Sequence, residues 1–214
     1  IVPEGLAFAA VLPREDARDA FISASAATLL HLPQGAVLGS SSVRRNAQAL
    51  RLRPDLKSIQ FRGNVETRLR KLNDGVADAT FLAVAGLNRL GLSHHISAIM
   101  EMDQMLPAVA QGAIGIEINN SNKKARQLVE AIHHKQTGIA IQCERAFLAT
   151  LEGSCRTPIA GHATVEGTSV SFRGQALTLD GRDSFEHVIK GTSKDAVAMG
   201  IEAGECVKAM GGEK

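Results

Sequence analysis

The sequence of 214 residues has few aromatic residues and no long apolar segment. It contains no Trp, no Tyr and seven Phe, which argues against the aromatic platforms that bind single-stranded nucleic acid. No stretch approaches the roughly 18 uninterrupted apolar residues that a membrane helix needs. The first ten residues, IVPEGLAFAA, lack the basic region and cleavage pattern of a signal peptide. We therefore expect a globular, cytoplasmic protein without a membrane or nucleic-acid partner.

Cysteine is also scarce. Cys143, Cys155 and Cys206 are odd in number and form no CxxC pair, so neither a disulfide framework nor a zinc site is indicated. The pairs His94–His95 and His133–His134 have no second ligand pair at metal spacing. We interpret these histidines as surface residues and predict no metal site.

Positive charge is concentrated in one part of a chain whose formal net charge is only +2. Residues 44–71 contain nine Lys or Arg residues against Asp55 and Glu66 alone. Such a concentration indicates an anionic ligand.

The first half of the chain alternates between strand and helix patterns. Apolar runs predict strands in residues 35–41, 56–63 and 78–87. A helix from Val43 ends before Pro54, and a second helix after Asn64 buries Val65, Leu69, Leu72 and Val76. This βαβαβ order predicts an open α/β sheet that binds ligands at the carboxyl ends of its strands.

The second half has a different pattern. Residues 106–118 resemble a strand that leaves the first sheet, and residues 123–134 and 138–151 resemble helices. Three alternating segments then follow, the last two joined by a hairpin turn at Asp180–Gly181. A final helix is expected to cover them with Val197, Ile201 and Val207. The chain should therefore end in a small α+β domain, an antiparallel sheet with helices.

Serine and arginine side chains follow the predicted strands. The motif GSSSVRRNAQALR, residues 39–51, places hydroxyl groups and two arginines at a helix start, where free N–H groups and the helix dipole favour an anion. Guanidinium groups bind carboxylates in a bidentate way. A ligand with several carboxylates or phosphates is predicted, although surface arginines can also be merely solvated. The candidate binding residues are Ser41, Ser42, Arg44, Arg45, Arg62, Arg68 and Arg89.

Cys155 differs from the other two cysteines in its surroundings. It lies between Gly153 and Pro158, beside Arg156, which predicts an exposed loop where the thiolate is favoured. A covalent role is one interpretation, and an inert thiol is the other. Cys143 and Cys206 fall in predicted helices and are interpreted as packing residues.

The motifs taken together resemble the porphobilinogen deaminase family. REDARDAF, GSSSVRRNAQ, RPDLKSIQFRGNVETRLRKL, LAVAGLNRLG, LPAVAQGAIGIE and LEGSCRTPIAG occur in the family's order and span nearly the whole chain. The resemblance implies a transferase that condenses four porphobilinogen molecules into hydroxymethylbilane with release of ammonia. It also implies that Cys155 carries a dipyrromethane cofactor through a thioether. The arginines, Ser41, Ser42 and Gln111 would hold the carboxylates of cofactor and substrate.

The resemblance also implies a domain division. Residues 16–107 would form the second domain, of the periplasmic-binding-protein type, and residues 134–214 the third domain. Residues 1–15 and 108–133 would be parts of a first domain that mostly precedes Ile1. On this reading the catalytic aspartate of the family lies before this chain, and the isolated chain is inactive and exposes an apolar face. We expect the full-length protein to be a monomer.

The chain departs from the family pattern at one position, and two other functional hypotheses stay open. The family usually has Gly-Gly-Cys where this chain has Gly153, Ser154 and Cys155, a small change that is compatible with cofactor attachment. A non-catalytic module that binds small polycarboxylates is the second functional hypothesis, and a nucleic-acid-binding protein is the third. Ammonia release would separate the first hypothesis from the second.

Overall fold

The computed structural model describes residues 3–153 and 157–211. Its largest sheet has five strands, which are β2 (Asp19–Ser23), β3 (Val37–Gly39), β4 (Lys57–Ile59), β5 (Ala79–Ala83) and β6 (Ala98–Ile99). Their order across the sheet is β4-β3-β5-β2-β6.

The central part of this sheet is the predicted βαβαβ unit. β3 is parallel to both β4 and β5, and the connections are α1 (Val43–Leu52) and α2 (Val65–Asn73). β2 pairs antiparallel with β5 and β6. The open α/β sheet is thus confirmed, and the two helices begin where β3 and β4 end.

Two details of this region differ from the prediction. The third predicted strand ends at Ala83, which pairs with the first residue of β2, and the chain then forms α3 (Val84–Arg89). Val76 is 49% exposed. It follows Gly75, whose positive φ of 73° takes the chain out of α2, so Val76 is not on the buried face of that helix.

A second, two-stranded sheet is separate from the first. β1 (Leu6–Val11) pairs antiparallel with β7 (Gly115–Asn119), and α4 (Lys123–Glu130) follows β7. The strand predicted over residues 106–118 is therefore limited to its final part. Leu6, Phe8 and Leu128 are exposed in this unit.

The C-terminal part is an antiparallel sheet with two helices on it, as predicted. The strands β8 (Ile159–Glu166), β9 (Ser169–Leu177) and β10 (Ser184–Thr192) occur in the order β10-β9-β8. The helices are α5 (Lys135–Thr150) and α6 (Ala196–Gly211). Cys143 and Phe147 of α5 pack in one core with Phe172, Met199 and Ala203, so Cys143 is the packing residue that was expected.

The buried face of α6 was predicted wrongly. Val197 and Ile201 are 48% and 41% exposed, whereas Val207 is buried. α6 approaches α5 so closely that a Cβ on Gly200 would lie 2.1 Å from the carbonyl oxygen of Cys143. The contact requires small residues, and the larger β-branched residues consequently face outward.

In the parts of the chain that the structure describes, none of the helices has both the length and the apolar character needed to cross a membrane.

Candidate functional site

The start of α1 is held by the serines that precede it. Ser42 is the N-cap, and its side chain accepts a hydrogen bond from the backbone N–H of Arg45 at 3.4 Å. The hydroxyl oxygen of Ser41 accepts from the N–H of Phe61 at 2.9 Å. Ser41 therefore fixes the segment after β3 to the segment after β4, at the carboxyl edge of the sheet.

The two arginines of the first turn are buried and share one carboxylate. Arg44 donates from Nη1 to Oδ2 of Asp19 at 2.7 Å, and Arg45 donates from Nε and Nη2 to Oδ1 at 2.9 and 2.6 Å. Arg45 also donates to the carbonyl oxygen of Phe81. Asp19 has no exposed surface. This carboxylate offsets the repulsion between two guanidinium groups at a helix N-terminus, where cations are disfavoured.

Asp19 remains ionised in this position. Burial alone raises the pKa of its carboxyl group, but the charges and hydrogen bonds of Arg45 and Arg44 outweigh burial and hold the pKa below the usual range. Asp19 was not among the site residues predicted from the sequence. The sequence feature that could have indicated it is an acidic residue at the first position of the mostly apolar segment Asp19–Ser23.

Gln111 joins this cluster from a different part of the chain. Its side-chain Nε2 donates to the carbonyl oxygen of Ala17 at 2.7 Å and to Oδ1 of Asp19 at 3.0 Å. Its Oε1 accepts from Nη2 of Arg44 at 3.2 Å. The segment between β6 and β7 thus contributes directly to the placement of the arginines.

A cleft of about 390 Å³ opens beside the arginines. One side is formed by Ser41, Ser42 and Val43 with Arg44, Arg45 and Arg68. Burial, followed by the charge of Arg45, lowers the pKa of Arg68. The other side includes Ala108 and Val109 and three residues of the C-terminal part, namely Leu148, Thr157 and Ile159. The cleft therefore lies between the five-stranded sheet and the C-terminal sheet.

Two of the predicted arginines are elsewhere. Arg62 and Arg89 are exposed, and neither is among the residues that line this cleft. Arg89 is displaced because it ends α3 and does not directly follow the strand. The structure thus brings together Ser41, Ser42, Arg44, Arg45 and Arg68 in the cleft and Gln111 behind it.

Cys155 lies outside the described residues. Its described neighbours in the sequence include Thr157, which lines the cleft. Burial, followed by the charge of Glu144, raises the pKa of Cys143 to about 12. Cys143 is also fully buried, so this thiol is not a nucleophile at neutral pH.

The C-terminal part is fixed to the site by a buried carboxylate that the sequence analysis missed. The carboxylate of Glu144 in α5 accepts hydrogen bonds from Nη1 and Nη2 of Arg14 and from the backbone N–H groups of Ala110 and Ala163. Arg14 also donates from Nε to the carbonyl oxygen of Gln111 at 2.9 Å. Glu144 therefore connects the C-terminal domain to the residue that contacts Arg44 and Asp19.

The predicted surface histidines do not gather as metal ligands. Nδ1 of His133 accepts from the N–H of Val11, and the side chain of His134 accepts from the N–H of Thr137 as the N-cap of α5. In residues 3–153 and 157–211 there is no group of three or more His, Cys, Asp or Glu side chains that could hold a metal ion.

Comparison with known proteins places the chain in a family. The family model for the "Porphobilinogen deaminase, dipyromethane cofactor binding domain" matches residues 1–127, and the model for the "Porphobilinogen deaminase, C-terminal domain" matches residues 139–209. A curated porphobilinogen deaminase from Nitrobacter hamburgensis is 51% identical over 213 residues, which cover 100% of this chain and 67% of that protein.

Among solved structures, a proposed methionine-binding lipoprotein from Bacillus subtilis subsp. subtilis strain 168 aligns with 62% of this chain and 63% of that chain. The TM-score is 0.41 and the sequence identity is 16%, so this likeness does not indicate a function. The two family models and the Nitrobacter relative agree with the family that the motifs indicated. The chain belongs to the porphobilinogen deaminase family.

Proposed function

We propose that this chain takes part in tetrapyrrole biosynthesis as a transferase that condenses four porphobilinogen molecules into hydroxymethylbilane and releases ammonia. The observation that carries the proposal is the cleft between Arg44, Arg45 and Arg68 on one side and Thr157 on the other. In the sequence, Cys155 is two residues before Thr157, which lines the cleft. A cysteine for covalent attachment and a wall of arginines for carboxylates would therefore serve one site.

The described residues fit a dipyrromethane cofactor. The cleft has a volume of about 390 Å³, which lies within the range of about 300–1,000 Å³ that is usual for small-molecule sites. Cys155 would hold the cofactor through a thioether, while Arg44, Arg45, Arg68 and Ser42 would bind its acetate and propionate groups. When bound, the cofactor supplies the pyrrole carbon to which the first substrate is joined.

The arginines retain donors for these carboxylates. A guanidinium has five N–H donors, and within the described part of the chain Arg44 and Arg45 each use three of them. Two donors remain on each side chain. A hydrogen bond between charged groups contributes about 1.5–3 kcal/mol, so the preorganised pair would bind a carboxylate tightly without rearrangement. Arg62 and Arg89 stay in the proposal as outer binding residues, and Gln111 would contribute by holding Arg44 and Asp19 in place.

We also propose that these 214 residues alone bind without completing the condensation. The groups that line the cleft in the described residues are hydroxyls, guanidiniums and apolar side chains, and no carboxylate is among them. Asp19 is engaged by both arginines and is fully buried. The reaction would therefore need an acid or base from outside the described cleft, as the family resemblance implies.

The proposal includes a division into domains. Residues 16–107 would be the carboxylate-binding domain, and residues from 134 onward the cofactor-bearing domain. Residues 1–15 and 108–133 would belong to a further domain, since β1 and β7 form a separate small sheet on which Leu6 and Phe8 are exposed. We propose a cytoplasmic monomer as the complete form.

A chimaera tests the function. The part of the Nitrobacter relative outside its match would be joined to these 214 residues, and ammonia and hydroxymethylbilane would be measured with porphobilinogen as substrate. We expect one ammonia per porphobilinogen from the chimaera and none from the Cys155→Ser chimaera. The 214 residues alone should bind porphobilinogen without releasing ammonia. Reversible binding without ammonia release by the chimaera itself would favour the polycarboxylate-binding module instead.

A further inference from the structure

The turn between β9 and β10 makes an unusually close contact with α1. Gly181 in this turn has a φ of +71° and is buried. A Cβ at this position would lie 2.2 Å from the carbonyl oxygen of Ala47 and 2.8 Å from the nitrogen of Arg51. These are the acceptor and donor of one hydrogen bond of an α-helix. The turn therefore rests on the helix backbone, and no side chain fits between them.

The helix under this turn is the one that carries the carboxylate-binding arginines. Ala47 follows Arg44 by three residues, about 4.5 Å along the helix axis. The C-terminal domain consequently faces α1 at two places. Leu148 and Thr157 lie across the cleft from its N-terminus, and Gly181 contacts its middle.

The adjoining part of the interface is packed less closely. A cavity of about 50 Å³ lies between α1 and β9, lined by Gln48, Arg51, Arg173 and Gln175 among others. Nε of Arg173 and Oε1 of Gln175 are buried without a hydrogen-bond partner among the described residues. The volume is sufficient for a few water molecules. Direct backbone contact at Gly181, beside this loosely packed region, therefore fixes the helix against the C-terminal domain.

We propose that Gly181 is a positioning residue that sets the place of α1, and thereby of Arg44 and Arg45, relative to the domain that carries Cys155. Any side chain at this position displaces α1 from the turn. Because carboxylate binding by a guanidinium depends on distance and angle, the displacement weakens binding in the cleft. The inference rests on the proposed function, since it concerns the same carboxylate site.

The test compares Gly181→Ala with Gly167→Ala in the 214-residue chain. Gly167 occupies the other hairpin turn of the same sheet, also at positive φ (+60°), but a Cβ there has no neighbour within 4 Å. Both substitutions introduce the same kind of backbone strain, and only the first introduces the contact with α1. Gly181→Asn is a second variant, because Asn tolerates positive φ better than Ala while still carrying a Cβ.

Two measurements are made on each protein, the dissociation constant for porphobilinogen and the hydrogen exchange of the α1 amides. We expect Gly181→Ala and Gly181→Asn to weaken porphobilinogen binding by about fivefold or more and to accelerate α1 exchange, with Gly167→Ala unchanged in both. Equal affinity in all variants, or unchanged α1 exchange, would overturn the proposal. If the unsubstituted chain binds no porphobilinogen, the proposal that these 214 residues bind it on their own fails, while the exchange comparison still decides whether the turn holds α1.

Discussion

The buried carboxylate of Asp19 offers the sharpest test of how the site is built. Asp19→Asn keeps the shape of the side chain and removes its charge, which leaves Arg44 and Arg45 buried without a counter-ion. Removing one partner of a buried ion pair costs about 3–5 kcal/mol. For a protein of this size, 1 kcal/mol corresponds to about 2–4 °C in melting temperature. We therefore expect a fall of about 6–20 °C.

The assay is thermal unfolding monitored by circular dichroism, with Asp103→Asn as the control. Asp103 also pairs with an arginine, Arg173, but its side chain is 93% exposed, and such pairs contribute less than about 1 kcal/mol. The pKa of Asp19 is lowered in the folded protein, so the stabilisation is present above its ordinary pKa of about 4 and is lost as the pH falls further. Equal melting temperatures for the two variants at pH 7 would refute the reasoning.

Two other groups give predictions that involve pH or reactivity. Burial, followed by the charge of Arg14, lowers the pKa of His162 to about 4. The contribution of His162 to the free energy of unfolding should therefore be fully present above pH 6.5. It should decline towards pH 4 by at most about 1.4 kcal/mol per pH unit. Urea unfolding of His162→Gln should show a weaker decline. Iodoacetamide should modify Cys206, which is half-buried, long before the buried Cys143; equal rates in the native protein would contradict the raised pKa of Cys143.

Much of the fold could be predicted because it depends on local spacing. The helix start at Ser42 and the turn at Asp180–Gly181 were each indicated by a few neighbouring residues, and both are present. α6 was misread because a large apolar residue is usually the buried one. Here the close approach to α5 selects glycine and alanine instead, and only the partner helix determines that choice.

Three of the five predicted arginines line the cleft, but the residues that hold them were not predictable from local patterns. Arg44 and Arg45 were indicated by the unusual position of two cations at a helix start. Asp19 and Gln111 reach them from positions 25 and 67 residues from Arg44 in the sequence. No local pattern encodes such distances, and the role of Gln111 came from the family resemblance alone. Glu144 was missed for the same reason, since its partners are spread over three segments.

The central claim is that one cleft combines a carboxylate-binding arginine wall with a cysteine that carries dipyrromethane. Intact-mass measurement of the chimaera, produced in cells that make porphobilinogen, tests it most directly. We expect a mass greater than that of the polypeptide by two pyrrole units, and the unmodified mass for Cys155→Ser. An unmodified chimaera that still condenses porphobilinogen, or a Cys155→Ser variant that retains the added mass, would contradict the claim.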